Sequence, residues 1–144
     1  MVDVRVGQLR RSRDRLSARG EETAELGDLA TAGLLLFYAA ECGLKAEILV
    51  RVCRSRDTTG LPEDLRTHNL RSLAKALGLP AGVAEATERC RRIMQGSLGE
   101  AGQRNGWVGP SELHEAWRYG ADLDPDDEKR AVLALRALIK ASRA

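Results

Sequence analysis

Apolar residues along this chain recur every three or four positions, and no stretch alternates between apolar and polar as a half-buried strand would. Helices are therefore predicted throughout. Over about residues 3–18, Val2, Val6, Leu9 and Leu16 fall at near-heptad spacing while the other faces are rich in Arg, which predicts a helix with one narrow buried stripe. Gly20 and the acidic group Glu21, Glu22 and Glu25 are expected to interrupt it. From Leu29 to Cys53 there is no Pro, and Asp28 stands where an N-cap belongs. This segment is apolar nearly all round in its first half and amphipathic afterwards, through Leu44, Ile48 and Val52, as expected of a helix at the centre of a bundle. Gly33 and Gly43 within it each cost about 1 kcal/mol relative to Ala. Close approach of a neighbouring helix is the expected compensation.

Ser55 to Asp64 reads as a loop, after which Thr67-His68-Asn69-Leu70 opens a short helix with Leu70, Leu73, Ala74 and Leu77 on one face and Gly78 at its end. Pro80 begins a further predicted helix over about 81–95, with Val83, Ala86, Cys90, Ile93 and Met94 turned inward. Gly96, Gly99, Gly102, Gly106, Gly109 and Pro110 make residues 96–110 the most loop-like stretch. Ser111 is placed to cap a short helix carrying Leu113 and Trp117. Asp124 as N-cap, Pro125 in the first helical position, and Asp126, Asp127 and Glu128 facing the positive end of the helix dipole announce the last helix. It runs on through Val132, Leu133, Leu135, Leu138 and Ile139. The expected architecture is all-α: five or six helices in one domain over residues 1–144, four to five forming the core of a bundle, with the Arg-rich helix of residues 1–20 packed on it.

A chain of 144 residues with 43% hydrophobic and 31% charged residues can bury a core and is poorly suited either to disorder or to a bilayer. The longest apolar run, Leu29 to Ala40, is broken by Glu41 and Lys45, and its twelve helical residues rise about 18 Å, short of a hydrocarbon core of roughly 30 Å. No signal-like apolar core follows the N-terminal arginines, so a cytoplasmic protein without a membrane span is expected. Cys42, Cys53 and Cys90 form no paired framework and read as reduced, buried thiols. With two histidines they show no metal-ligand spacing, and neither metal nor cofactor is expected. There is no phosphate-binding glycine loop and no nucleophile elbow.

The net charge of +2 excludes a uniformly basic coat, but it sums opposed patches: basic at 5–19, 51–56 and 89–92, acidic at 21–28 and 122–128. Nearly all the basic residues are Arg, and clusters at 10–15, 51–56 and 89–92 would make a phosphate-binding patch if two met on one face. Genomic base composition accounts for Arg over Lys equally well. Glu41 and Lys45, four apart, read either as an ordinary intrahelical ion pair or as two charges beside an apolar stripe, where desolvation makes pairing matter. His68 reads as part of a helix start and its loop packing. His114, four residues before Arg118, is either a surface histidine or one half of an Arg/His pair with Arg104, in which His moves protons while Arg holds a phosphate.

Four pieces in order carry a family resemblance. They are Tyr38-Ala39-Ala40-Glu41-Cys42-Gly43-Leu44-Lys45-Ala46, then Thr67-His68-Asn69-Leu70 with Leu73, then Trp107 or Trp117 with Arg118-Tyr119, then the closing amphipathic helix. Together, over about residues 25–142, they resemble the HEPN superfamily of nucleotide- and RNA-associated helical bundles. The resemblance implies a bundle that forms a homodimer. Its members include RNases of toxin–antitoxin, CRISPR and phage-defence systems, partners of minimal nucleotidyltransferases, and RNA- or nucleotide-binding proteins without catalysis. It marks Glu41, Lys45, His68, Arg118 and Tyr119 as binding candidates. The RNase branch carries Arg and His separated by four to six residues, often beginning Arg-Asn. Here Arg104-Asn105 is followed by nine intervening residues before His114. The first expectation is therefore a non-catalytic module that binds RNA or nucleotide, or that partners a nucleotidyltransferase, an antitoxin or another defence protein. The second is a metal-independent endoribonuclease in which His114 is the general acid/base, Arg104 stabilises the phosphate and Asn105 positions it. A pure oligomerisation adaptor would instead lack nucleic-acid affinity even at low salt.

Overall fold

The computed structural model describes residues 3–80, 83, 90–92 and 106–143. Five α-helices dominate the described residues: α1 (Val6–Glu25), α2 (Leu29–Ile48), α3 (Leu70–Ala76), α4 (Leu113–Arg118) and α5 (Pro125–Ala141). A single π-helical turn, Leu49–Cys53, extends α2, and short 3₁₀ turns lie at Thr58–Gly60, Glu63–Leu65 and Pro110–Glu112. One small sheet pairs β1 (Cys90–Arg91) with β2 (Trp107–Val108) antiparallel, Cys90 opposite Val108. The fold is all-α, and α2 is its centre, packed against each of the other four helices.

Local chemistry explains where the helices begin. Asp28 accepts the backbone N–H of Thr31 at 3.1 Å. Asn69 accepts that of Ser72 at 3.2 Å, and Asp124 that of Asp127 at 3.0 Å, directly ahead of Pro125. Gly78 ends the α3 segment at φ +76°, a conformation that side chains resist. Leu36, Phe37, Leu44 and Ile48 of α2 are fully buried, each contributing about 1.5–3 kcal/mol by leaving water. The glycines of α2 mark close approaches, as expected: a Cβ on Gly33 would come within 2.7 Å of the Trp117 indole, and one on Gly43 within 2.8 Å of Arg13 Cδ. The loop after α2 is pinned to the chain's start by Val6 N–H to the Arg56 carbonyl and Thr58 N–H to the Val4 carbonyl, both 2.9 Å.

Four expectations are corrected. Gly20 does not interrupt the first helix, which runs on to Glu25, because Gly20 packs directly on Leu36 and burial against α2 outweighs its low propensity. The predicted helix over 81–95 is helical at Val83 but not at its end: Cys90 and Arg91 are a strand, held by Arg92 N–H to the Gly106 carbonyl and Arg91 N–H to Asp127 Oδ2 at 2.9 Å. Its remaining positions, apart from Val83, lie outside the described residues, as do most of the glycine-rich stretch, Arg104 and Asn105. Ser111 does not cap α4, which continues instead from the 3₁₀ turn at Pro110–Glu112 with Glu112 at its N-cap position. The three cysteines are free, but only Cys90 is fully buried, Cys42 and Cys53 being half-buried. Among the described residues no helix is long and apolar enough to cross a membrane.

A candidate polar site between the second, third and fourth helices

Tyr38, Glu41 and Lys45 stand at i, i+3 and i+7 and therefore share one face of α2. The turn before α3 brings His68 to that face, and α4 brings His114 and Arg118, four apart. Glu41 is the hinge of the polar half. Its Oε1 lies 2.5 Å from His68 Nδ1 and its Oε2 accepts from Lys45 Nζ at 3.2 Å. A carboxylate oxygen accepts, so His68 Nδ1 is the donor in this contact. Both expectations for the Glu41–Lys45 pair apply at once. The two are an intrahelical pair, and their side chains are only 13% and 10% exposed, which makes mutual satisfaction costly to lose.

His114 is enclosed rather than superficial, at 4% exposure. Its ring lies between Phe37 and His68, 4.8 Å from each ring centre, with Tyr38 6.2 Å away. Its Nδ1 is buried without a hydrogen-bond partner, while Nε2 is 3.8 Å from Glu115 Oε1. Burial pushes its pKa below the ordinary 6.5, and proximity to His68 pushes the same way. Glu115, Glu41 and the backbone of Ser111 oppose the shift without reversing it. His114 is thus held as a neutral imidazole.

Beyond His114 the site continues outward. Arg118 donates to the Tyr38 hydroxyl, and its guanidinium sits 5.9 Å from the ring centres of both Tyr38 and Tyr119. Tyr119 is 76% exposed. On the other side of α4, Tyr119 and Glu115 share with Arg92 and Val108 the lining of a cleft of about 410 Å³. The result is a string of groups from Lys45 through Glu41, His68, His114, Tyr38 and Arg118 to Tyr119. The structure thus brings Glu41, Lys45, His68, Arg118, Tyr119 and His114 together, whereas Arg104 and Asn105 lie outside the described residues. Sequence reasoning passed over Tyr38 and Phe37 as site residues. The shared helical face of Tyr38, Glu41 and Lys45 was the available signal for Tyr38.

Chemically, this arrangement offers an exposed guanidinium between two aromatic rings, an exposed imidazole held by a carboxylate, and a buried neutral imidazole behind them. No group of three metal-ligating side chains occurs among the described residues. Comparison with protein-family models, with curated proteins and with solved structures finds no match for the chain.

Proposed function

We propose that this chain is a HEPN-like module that binds RNA or a nucleotide without cleaving it. The observation that carries this reading is the contrast between its two histidines. A general acid/base must come within about 2.6–3.2 Å of the proton it moves, directly or through one water. His114, the residue of the catalytic alternative, is 4% exposed and stacked behind Phe37 and His68. The exposed groups of the site are suited to binding. Arg118 presents a planar fork to a phosphate, and Tyr119 presents a ring on which a base can stack.

The test is titration of a labelled single-stranded RNA and of ATP with purified protein in EDTA, followed by analysis of the RNA. Binding with intact RNA is expected. Tyr119→Ala should weaken RNA binding by the roughly 1–3 kcal/mol of one stacked base, and Arg118→Ala should weaken it as well. Cleavage that disappears in His114→Ala would replace this reading with the endoribonuclease that uses Arg104 and His114. Failure to bind either ligand even at low salt would replace it with a pure adaptor.

A further inference from the structure

We propose that the outward face of α1 bearing Gln8, Arg11, Ser12 and Arg15 is a second contact surface, which takes the phosphate backbone of single-stranded RNA. This rests on the RNA-binding reading and deepens it, because it makes a polynucleotide rather than a mononucleotide the full ligand.

The arginines of α1 fall into two groups. Arg10 reaches Glu47 at 2.8 Å, Arg13 holds Asp14 at 2.9 Å and the Ser142 carbonyl at 3.1 Å, and Arg19 lies 3.3 Å from Glu22. Arg11 and Arg15 are exposed and make no hydrogen bond or ion pair with any described residue. The helical neighbours of Arg15 three and four positions away are Arg11, Ser12, Ala18 and Arg19, with no acid among them. Asp14, the one carboxylate within reach of Arg11 along the helix, is taken by Arg13 and Arg143. Two like charges four apart cost a helix a few tenths of a kcal/mol, roughly as much as an opposite pair contributes. That cost is left uncompensated within the described fold.

The surface itself is elongated. One groove is lined by Gln8, Arg11, Ser12 and Arg15, and a second, sharing Gln8 and Arg11, continues to Gly7 and Arg5. From Arg5 to Arg15 the helix rises about 15 Å, longer than a single phosphate group and suited to a repeating anion. Guanidinium forks flanked by a hydroxyl and a carboxamide match phosphate oxygens and read no base. An anionic lipid surface fits less well, because an interfacial helix needs an apolar stripe. The large exposed apolar side chains among the described residues are Leu26, Val50, Val52, Trp107, Tyr119 and Leu133, none within α1.

The experiment compares wild type, Arg11→Gln/Arg15→Gln and a charge-matched control, Lys129→Gln/Lys140→Gln, whose lysines are exposed on α5. Each is titrated with a short single-stranded RNA over a range of salt, with ATP, and with vesicles containing an anionic phospholipid. All four substitutions are at exposed positions, and circular dichroism should show an unchanged fold. The α1 variant should lose about tenfold or more in RNA affinity, with a salt slope shallower by about 1.4, while its ATP binding and the control's RNA binding stay at the wild-type level. RNA affinity unchanged in the α1 variant, or lowered equally in the control, overturns the inference while leaving the RNA-binding reading standing. Loss of vesicle binding rather than RNA binding in the α1 variant overturns it in favour of a membrane surface. Wild-type protein that binds neither RNA nor ATP removes both.

Discussion

His68 and Glu41, 27 residues apart in sequence, meet through a 2.5 Å contact between Nδ1 and Oε1, and the second oxygen of the same carboxylate is held by Lys45. Glu41 therefore orients the exposed imidazole and neutralises a lysine whose side chain is 10% exposed. Replacing it strands that charge. Glu41→Ala should destabilise the protein by about 3 kcal/mol, the lower end for breaking a buried pair, read as a lower urea midpoint at unchanged m. Lys45→Met added to Glu41→Ala should recover part of the loss, because the stranded charge is then gone.

His114 makes stability depend on pH. Its folded pKa lies below the ordinary 6.5 because the ring is buried and faces His68, with Phe37 and Tyr38 contributing no charge and Glu115, Glu41 and the Ser111 backbone opposing only partly. As pH falls through the ordinary value, the unfolded chain takes up a proton that the folded chain refuses, so stability present above that pH is lost below it. The slope approaches at most about 1.4 kcal/mol per pH unit for one proton. Thermal melts at mildly acidic and neutral pH should show this fall. His114→Phe, which keeps a ring against Phe37 and removes the unpartnered Nδ1, should flatten that part of the profile.

Gly33 and Trp117 pack closely between α2 and α4. A methyl group at Gly33 would sit 2.7 Å from indole carbons, and the indole is tethered by its N–H to Glu128 at 3.0 Å. Gly33→Ala gains about 1 kcal/mol of helix propensity, set against about 1–3 kcal/mol of overpacking. A net loss of about 1 kcal/mol is expected from these two terms. Displacement of the indole should accompany it as a change in tryptophan fluorescence.

Glu128 holds the other end of that tether, and burial raises its pKa against the opposing hydrogen bond from Trp117, with Asp28 and Asp122 adding to the rise. For an acid whose folded pKa is raised, stability present below the ordinary 4.5 is lost as pH rises through the folded value. At neutral pH the charge is thus a liability. Glu128→Gln retains an oxygen for the indole N–H, and its Tm should rise by about a degree or more at neutral pH. The gain should shrink in acid.

Much of the secondary structure was legible because its signals are local. Asp28 and Asp124 cap helices through bonds to residues three positions on, and such bonds are written in adjacent sequence. The strand at Cys90–Arg91 was illegible because its partners are Val108 and Trp107 and its edge is fastened to Asp127, none of them near in sequence. Its apolar spacing suits a helix, and only remote hydrogen bonds make it a strand. The site divides in the same way. Glu41 with Lys45, and His114 with Arg118, are helical neighbours readable by counting, whereas the approach of His68 to Glu41 and the enclosure of His114 depend on how α3 and α4 close over α2.

By itself, then, the order of residues determined that this protein is helical, that the apolar segment after Asp28 is its centre, and where its best-capped helices start. Periodicity and capping act within a few residues and need no partner. Only the tertiary structure decided that Gly20 continues a helix, that Cys90 joins a strand, and that one histidine is buried and neutral while the other is exposed on a carboxylate. Burial and electrostatics at those positions come from side chains distant in sequence, and those environments exist only after the helices have packed.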